Sequence, residues 1–197
     1  IIIHQSTNKV KINLSKKKNI ITFVGKLNKA KGYDIFGAAV LKILDKYENW
    51  KAVVIGDEER EKIVFKHKNL VLLGFQNHKK VLNIFKQSSI SVVCSRWEEP
   101  FGRTSLESAS RGCAVIITNR GGLPETITNG IIVEELSVKN IFDSINKLIK
   151  NKNYRKDLQR ESLKNFNLTN KNASNLIDFY RDNIFKNTLK IINIKKL

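Results

Sequence analysis

Two glutamates, Glu99 and Glu107, stand eight positions apart around the turn Pro100-Phe101-Gly102. Proline and glycine force the chain to turn there. A helix is expected to start just after it, near Arg103 or Thr104. The first turn of a helix leaves its backbone N–H groups free, and that end carries about half a positive charge. The amides of Arg103, Thr104 and Ser105 therefore make a ready anion site. A carboxylate can accept a hydrogen bond from a vicinal hydroxyl on each of its oxygens. A phosphate flanked by polyols would use both features. The plainer alternative is a helix-face glutamate at 107 and a surface charge at 99.

Other segments carry the same kind of chemistry. Gly25-Lys26-Leu27-Asn28-Lys29-Ala30-Lys31-Gly32 is a glycine-bounded loop with three lysines, placed just before an expected helix. Gly25 permits close backbone approach to a ligand, and Lys26 and Lys31 can meet phosphate charge. Gly74-Phe75-Gln76 is a turn against which a base could rest. Asn119-Arg120-Gly121-Gly122-Leu123-Pro124-Glu125 brings two glycines together, with Pro124 placed to open a short helix. Each segment read singly is also a generic turn.

These segments need a frame that gathers them. Apolar, β-branched runs at 20–24, 51–55, 69–73, 90–94, 114–118 and 130–133 read as strands. Most are continuous rather than alternating, which marks strands covered on both faces of a parallel sheet. Helical spacing falls between them, at 33–46, 58–66, 79–87, 104–111 and 137–150. Two further helices follow at 154–166 and 171–189, with a basic, weakly patterned tail over 190–197. Alternation of this kind predicts an α/β, Rossmann-like, doubly wound parallel sheet followed by C-terminal helices. In such sheets ligands bind at the carboxyl ends of the strands. Every segment named above directly follows a strand.

Composition narrows the partners. The chain has 36 Lys plus Arg against 18 Asp plus Glu, a net charge of +18 over 197 residues. Hydrophobic content of 41% excludes wholesale disorder. The two cysteines, Cys94 and Cys113, suit buried thiols in a reducing compartment rather than a disulfide framework. No apolar run approaches the ~20 residues of a membrane span. His4, His67 and His78 sit in lysine-rich surroundings and read as surface residues, while Trp50 and Trp97 read as caps on core edges. Methionine is absent and the chain opens on Ile1. We therefore expect a piece of a longer protein, with 1–19 a connector from a missing N-terminal domain, 20–150 the sheet domain and 151–197 a helical extension.

In combination the motifs resemble one family: the retaining, nucleotide-sugar-dependent group 1 glycosyltransferases, whose fold is the two-domain GT-B. Gly25-Lys26-Leu27-Asn28-Lys29-Ala30-Lys31-Gly32 is similar to the family's G-R-L-x-x-x-K-G. Glu99-Pro100-Phe101-Gly102 through Glu107 resembles its E-P-F-G-x-x-x-x-E, and Gly121-Gly122-Leu123-Pro124-Glu125 its G-G-x-x-E. The three occur in family order over about 20–150.

The resemblance implies the donor-binding half of such an enzyme, with a nucleotide-diphosphate sugar as donor substrate and neither cofactor nor metal. It gives Glu99, Lys26 and Lys31 catalytic roles. The lysines hold the diphosphate and Glu99 contacts the transferred sugar. The amides of Arg103, Thr104 and Ser105 meet the diphosphate, and Glu107 takes the ribose. Gly25, Gly74, Phe75, Gln76, Phe101, Gly102, Gly121 and Gly122 would line the pocket. Position 26 departs from the family, which usually has Arg there; an ammonium lacks the planar fork for bidentate phosphate binding.

The implied acceptor is a glycan or lipid-linked molecule, reached through the missing N-terminal domain. The implied location is cytoplasmic, with the +18 charge able to hold the protein against an anionic membrane surface. No nucleic-acid partner is expected, since no recognisable module is present. Two alternatives stand beside this reading. One is a related GT-B nucleotide-sugar enzyme such as an epimerase. The other is a non-catalytic basic module for membrane or nucleic acid, which would gain nothing from Glu99 and Glu107.

Overall fold

The apolar runs pair as parallel strands. In the computed structural model, which describes residues 2–194 and side chains to residue 186, β1 (Lys18–Val24) lies centrally. It pairs on one side with β2 (Lys51–Ile55) and on the other with β4 (Ser88–Val93). β3 (Leu70–Leu72) extends the first side; β5 (Ala114–Thr118) and β6 (Ile131–Val133) extend the second. The order β3-β2-β1-β4-β5-β6 is the expected doubly wound sheet. The helices are α1 (Tyr33–Lys46), α2 (His78–Gln87), α3 (Arg103–Ser110), α4 (Val138–Lys150), α5 (Lys152–Asn165) and α6 (Asn170–Ile194). The rest of the basic tail lies outside the described residues.

β5 shows why the strand runs are continuous. Its five residues are all buried. Side chains alternate faces along a strand. Ala114 and Ile116 enter a core with Phe36, Val40 and Ile43 of α1 and Ile141 and Ile145 of α4. Val115 and Ile117 enter a second core with Val81 and Phe85 of α2 and Leu106 and Ala109 of α3. Each large side chain so buried is worth roughly 1.5–3 kcal/mol.

Side chains set where several helices begin. The Asn77 side-chain oxygen accepts from the Lys80 amide at 2.9 Å, starting α2. Ser137 does the same for α4 through the Asn140 amide, and Asn151 for α5 through the Tyr154 amide. Such caps are worth about 1 kcal/mol each.

The helix expected over 58–66 does not form. Burial there alternates residue by residue: Ile63, Phe65 and His67 turn inward while Val64, Lys66 and Lys68 face solvent. That is an extended strap with a period of two. The Phe65 ring meets Tyr33 edge-on at 5.5 Å. Glu58 accepts hydrogen bonds from the Arg60 side chain, the Arg60 amide and Asn28 instead of entering a helix. Those bonds, in that order, hold its carboxyl down at about 2.

The chain before β1 packs against the domain. The Lys17 ammonium donates to the carbonyl oxygens of Phe85 at 2.8 Å, Ser88 at 2.7 Å and Arg111 at 2.7 Å. It thereby serves the C-terminal ends of both α2 and α3, and burial lowers its pKa. Trp50 is buried beneath the Arg155 guanidinium. Trp97 differs from expectation: it is 61% exposed, on the loop after β4 rather than on a core edge.

Candidate functional site

β1 and β4 are neighbours, yet the chain leaves them in opposite directions, β1 toward β2 and β4 toward β5. The loops at their carboxyl ends must therefore part, which opens a crevice at this point of the sheet. A hollow there is lined by Gly25 from the β1 loop, Ser95 and Glu99 from the β4 loop, Lys31, and Gly102, Arg103 and Thr104. Lys31 Nζ forms an ion pair with Glu99 Oε1 across it. Gly102 is the N-cap of α3 and has no side chain to cap with. The first amides of α3 are thus left for a ligand.

A second hollow adjoins the first and shares Val24 and Gly25 with it. Lys26, Asp57, Phe75 and Gln76 complete its rim. Phe75 is 77% exposed and offers an open ring face. The Gln76 side-chain amide donates to the Leu73 carbonyl at 2.5 Å and steadies the Gly74-Phe75 turn. Lys26 is exposed on this rim, while Lys31 lies in the first hollow. The two lysines therefore serve different cups.

Glu107 stands one turn into α3, with its side chain 6% exposed. Its Oε1 accepts from Arg103 Nε at 2.8 Å and pairs with His78 Nε2 at 2.8 Å. Arg103 lines the first hollow. His78 comes two residues after Gln76, which lines the second.

Phe101, Ser105, Gly121 and Gly122, expected at the pocket, line neither hollow. Gly122 is buried and its amide donates to the Glu99 carbonyl at 2.7 Å. The Gly121 amide donates to Glu98 Oε2 at 2.5 Å, and Arg120 pairs with the same carboxylate at 3.1 Å. Gly121 has φ +52, and a Cβ there would run into the Glu99 carbonyl oxygen. Only glycine suits that contact. Phe101 is buried, with its ring stacked on His4 at 5.3 Å. Ser105 is buried and hydrogen-bonded to Thr126 at 2.6 Å. Pro124 does open a short 3-10 turn, Leu123–Thr126.

The lysine loop is braced from outside. Asn28 donates to Glu58 at 2.9 Å, and the Lys29 amide donates to Glu61 at 3.0 Å. Arg96 grips Asp34 through two hydrogen bonds, 2.7 and 2.8 Å, and also donates to the Lys29 carbonyl. Partial burial alone would raise the Asp34 carboxyl, but the Arg96 guanidinium outweighs it and lowers it.

Ser95 lines the first hollow, Asp57 lines the second and His78 bonds Glu107, and none of the three is among the expected site residues. Asp57 directly follows the glycine closing β2, a position that could have singled it out. His78 carried no signal in its own neighbourhood, because its partner lies 29 residues away.

Residues 4–165 match the family "Glycosyl transferases group 1". The chain belongs to this family. It is 30% identical over 188 residues to spore coat protein SA of Bacillus subtilis, covering 84% of this chain and 49% of that protein. The chain spans about a third to a half of the length of the curated relatives it matches. Among solved structures, it resembles the C-terminal domain of the group 1 family protein LpcC from Francisella tularensis. The TM-score is 0.65 at 30% identity, covering 74% of this chain and 82% of that one. It also shares the fold of Anabaena Alr3699/HepE, solved with UDP and glucose. There the TM-score is 0.67 at 15% identity, over 85% of this chain and 48% of that one.

Proposed function

We propose that this domain binds a nucleoside diphosphate sugar and presents it for transfer by a retaining glycosyltransferase. The base lies against Phe75 in the second hollow and Glu107 accepts from the ribose hydroxyls. The diphosphate crosses Gly25 to reach Lys31 and the first amides of α3, with Lys26 at its approach. The sugar lies beside Glu99, whose carboxylate accepts from its hydroxyls. When the bond from the anomeric carbon to the phosphate breaks, negative charge grows on the leaving diphosphate. Fixed cationic and N–H groups that face this charge lower the barrier. The acceptor, a glycan or lipid-linked molecule of a cell surface, is brought by another part of a longer protein on the cytoplasmic face of a membrane. The +18 charge suits an anionic surface there.

The observation that carries this reading is the first hollow. It gathers a cation, a carboxylate and an uncapped helix start at the parting of two strands, on a chain that belongs to this family. Calorimetry of the 197-residue chain against uridine, guanosine and adenosine diphosphate sugars tests it. One of the three should bind, and its free nucleoside diphosphate should bind too. Failure of all three overturns the reading.

A further inference from the structure

We infer that His78 is a positioning residue for nucleotide binding, orienting the Glu107 carboxylate toward the ribose. The inference rests on the donor-site reading above. Glu107 is a buried carboxylate whose two observed bonds both fall on Oε1. Its Arg103 partner is four residues away on the same helix, so that bond moves with α3 and ties the carboxylate to nothing outside it. His78 is different. It is the first residue of α2, set in place by the Asn77 cap, and follows the Phe75-Gln76 turn of the second hollow by two residues. Its bond to Glu107 is the one hydrogen bond that ties this carboxylate to another element among the described residues.

An ionised carboxylate only accepts, so the ring must carry its proton on Nε2 to donate here. Two donors on Oε1 fix the carboxylate plane and leave Oε2 to accept from a ligand hydroxyl. A ring placed this way acts on the nucleotide only through Glu107. Its contribution should therefore depend on the ribose hydroxyls.

The test uses the full chain and whichever of uridine, guanosine or adenosine diphosphate binds it, together with the 2′,3′-dideoxy analogue of that nucleotide. His78→Ala should weaken binding of the ordinary nucleotide about five-fold, less than the roughly ten-fold or more that a direct hydrogen bond to a charged group is worth, because the ring acts only through Glu107. Binding of the dideoxy analogue should change less than about two-fold. His78→Gln keeps an N–H at nearly the same reach and should restore the ordinary affinity. Equal losses for both nucleotides, or no loss for either, would overturn the assignment. So would failure of Gln to rescue. Wild-type chain that binds none of the three nucleotides would instead bring down the donor-site reading, and this inference with it.

Discussion

Lys31 and Glu99 are 68 residues apart in sequence and form an ion pair across the first hollow. Each is a group that the donor would need: the ammonium for phosphate, the carboxylate for sugar hydroxyls. The site therefore holds these two charges on one another. Binding must exchange that pair for ligand contacts. The Lys31 side chain is a third exposed, so the pair is worth at most about 1 kcal/mol.

The exchange gives opposite signs for two ligands. Glu99→Gln releases Lys31 and should tighten a free nucleoside diphosphate about two- to five-fold. The same change removes a charged acceptor for the sugar, so the gain should vanish or reverse for the nucleotide sugar. Parallel titrations by calorimetry check this. Weaker binding of the free diphosphate would show that the ion pair does not compete with phosphate.

Glu107→Ala should weaken nucleoside diphosphate binding roughly ten-fold or more, because a charged hydrogen-bond acceptor is worth ~1.5–3 kcal/mol. Arg103 and His78 would lose their shared partner in the same step. Unchanged affinity would remove Glu107 from the site.

Gly121→Ala tests the support under Glu99. A side chain at φ +52 is strained, and its Cβ would meet the Glu99 backbone. We expect a loss of at least ~1 kcal/mol on denaturant unfolding, together with weaker binding of the nucleotide sugar. Full stability with full affinity would mean that the 121–122 turn is not what holds the Glu99 loop.

Much of this architecture could be read from residue order alone. The runs at 51–55 and 114–118 match β2 and β5 because strands covered on both faces carry an unbroken apolar signal. The helix over 33–46 matches α1 for the same reason at a period of 3.6. The strap at 58–66 departs from the expected helix because its charged residues suggest a solvated helix face, while its inward apolar residues are Ile63 and Phe65. Their alternation was the available signal. The Glu107–His78 bond was illegible because neither residue's local pattern points to the other; only strand order brings α2 beside α3.

The two thiols give a pH-dependent outcome. Burial pushes the Cys94 thiol from its ordinary 9.0 up to about 12, and raises Cys113 too, against the opposing pull of Lys17. A pKa raised by folding means that the native state holds its proton where the unfolded chain has released it. Stability is then full below about pH 9 and falls as pH climbs from there toward 12. Unfolding midpoints measured across that range should decline. Neither thiol should react with a disulfide reagent near neutral pH until the protein is unfolded, since both side chains are inaccessible. Prompt labelling of the native chain would contradict this.

Gly25 forms the saddle between the two cups, since both hollows include it and no side chain rises from it. A ligand that spans the saddle gains from chelation: once one end is seated, the other is confined near its own cup at a high effective concentration. Affinity for the whole can then far exceed affinity for either piece. A bulky residue at position 25 would strain a backbone held at φ +156 and rise between the cups, turning one long site into two short ones. Nucleoside and sugar phosphate would each still find a place, but joining them would no longer add to their hold.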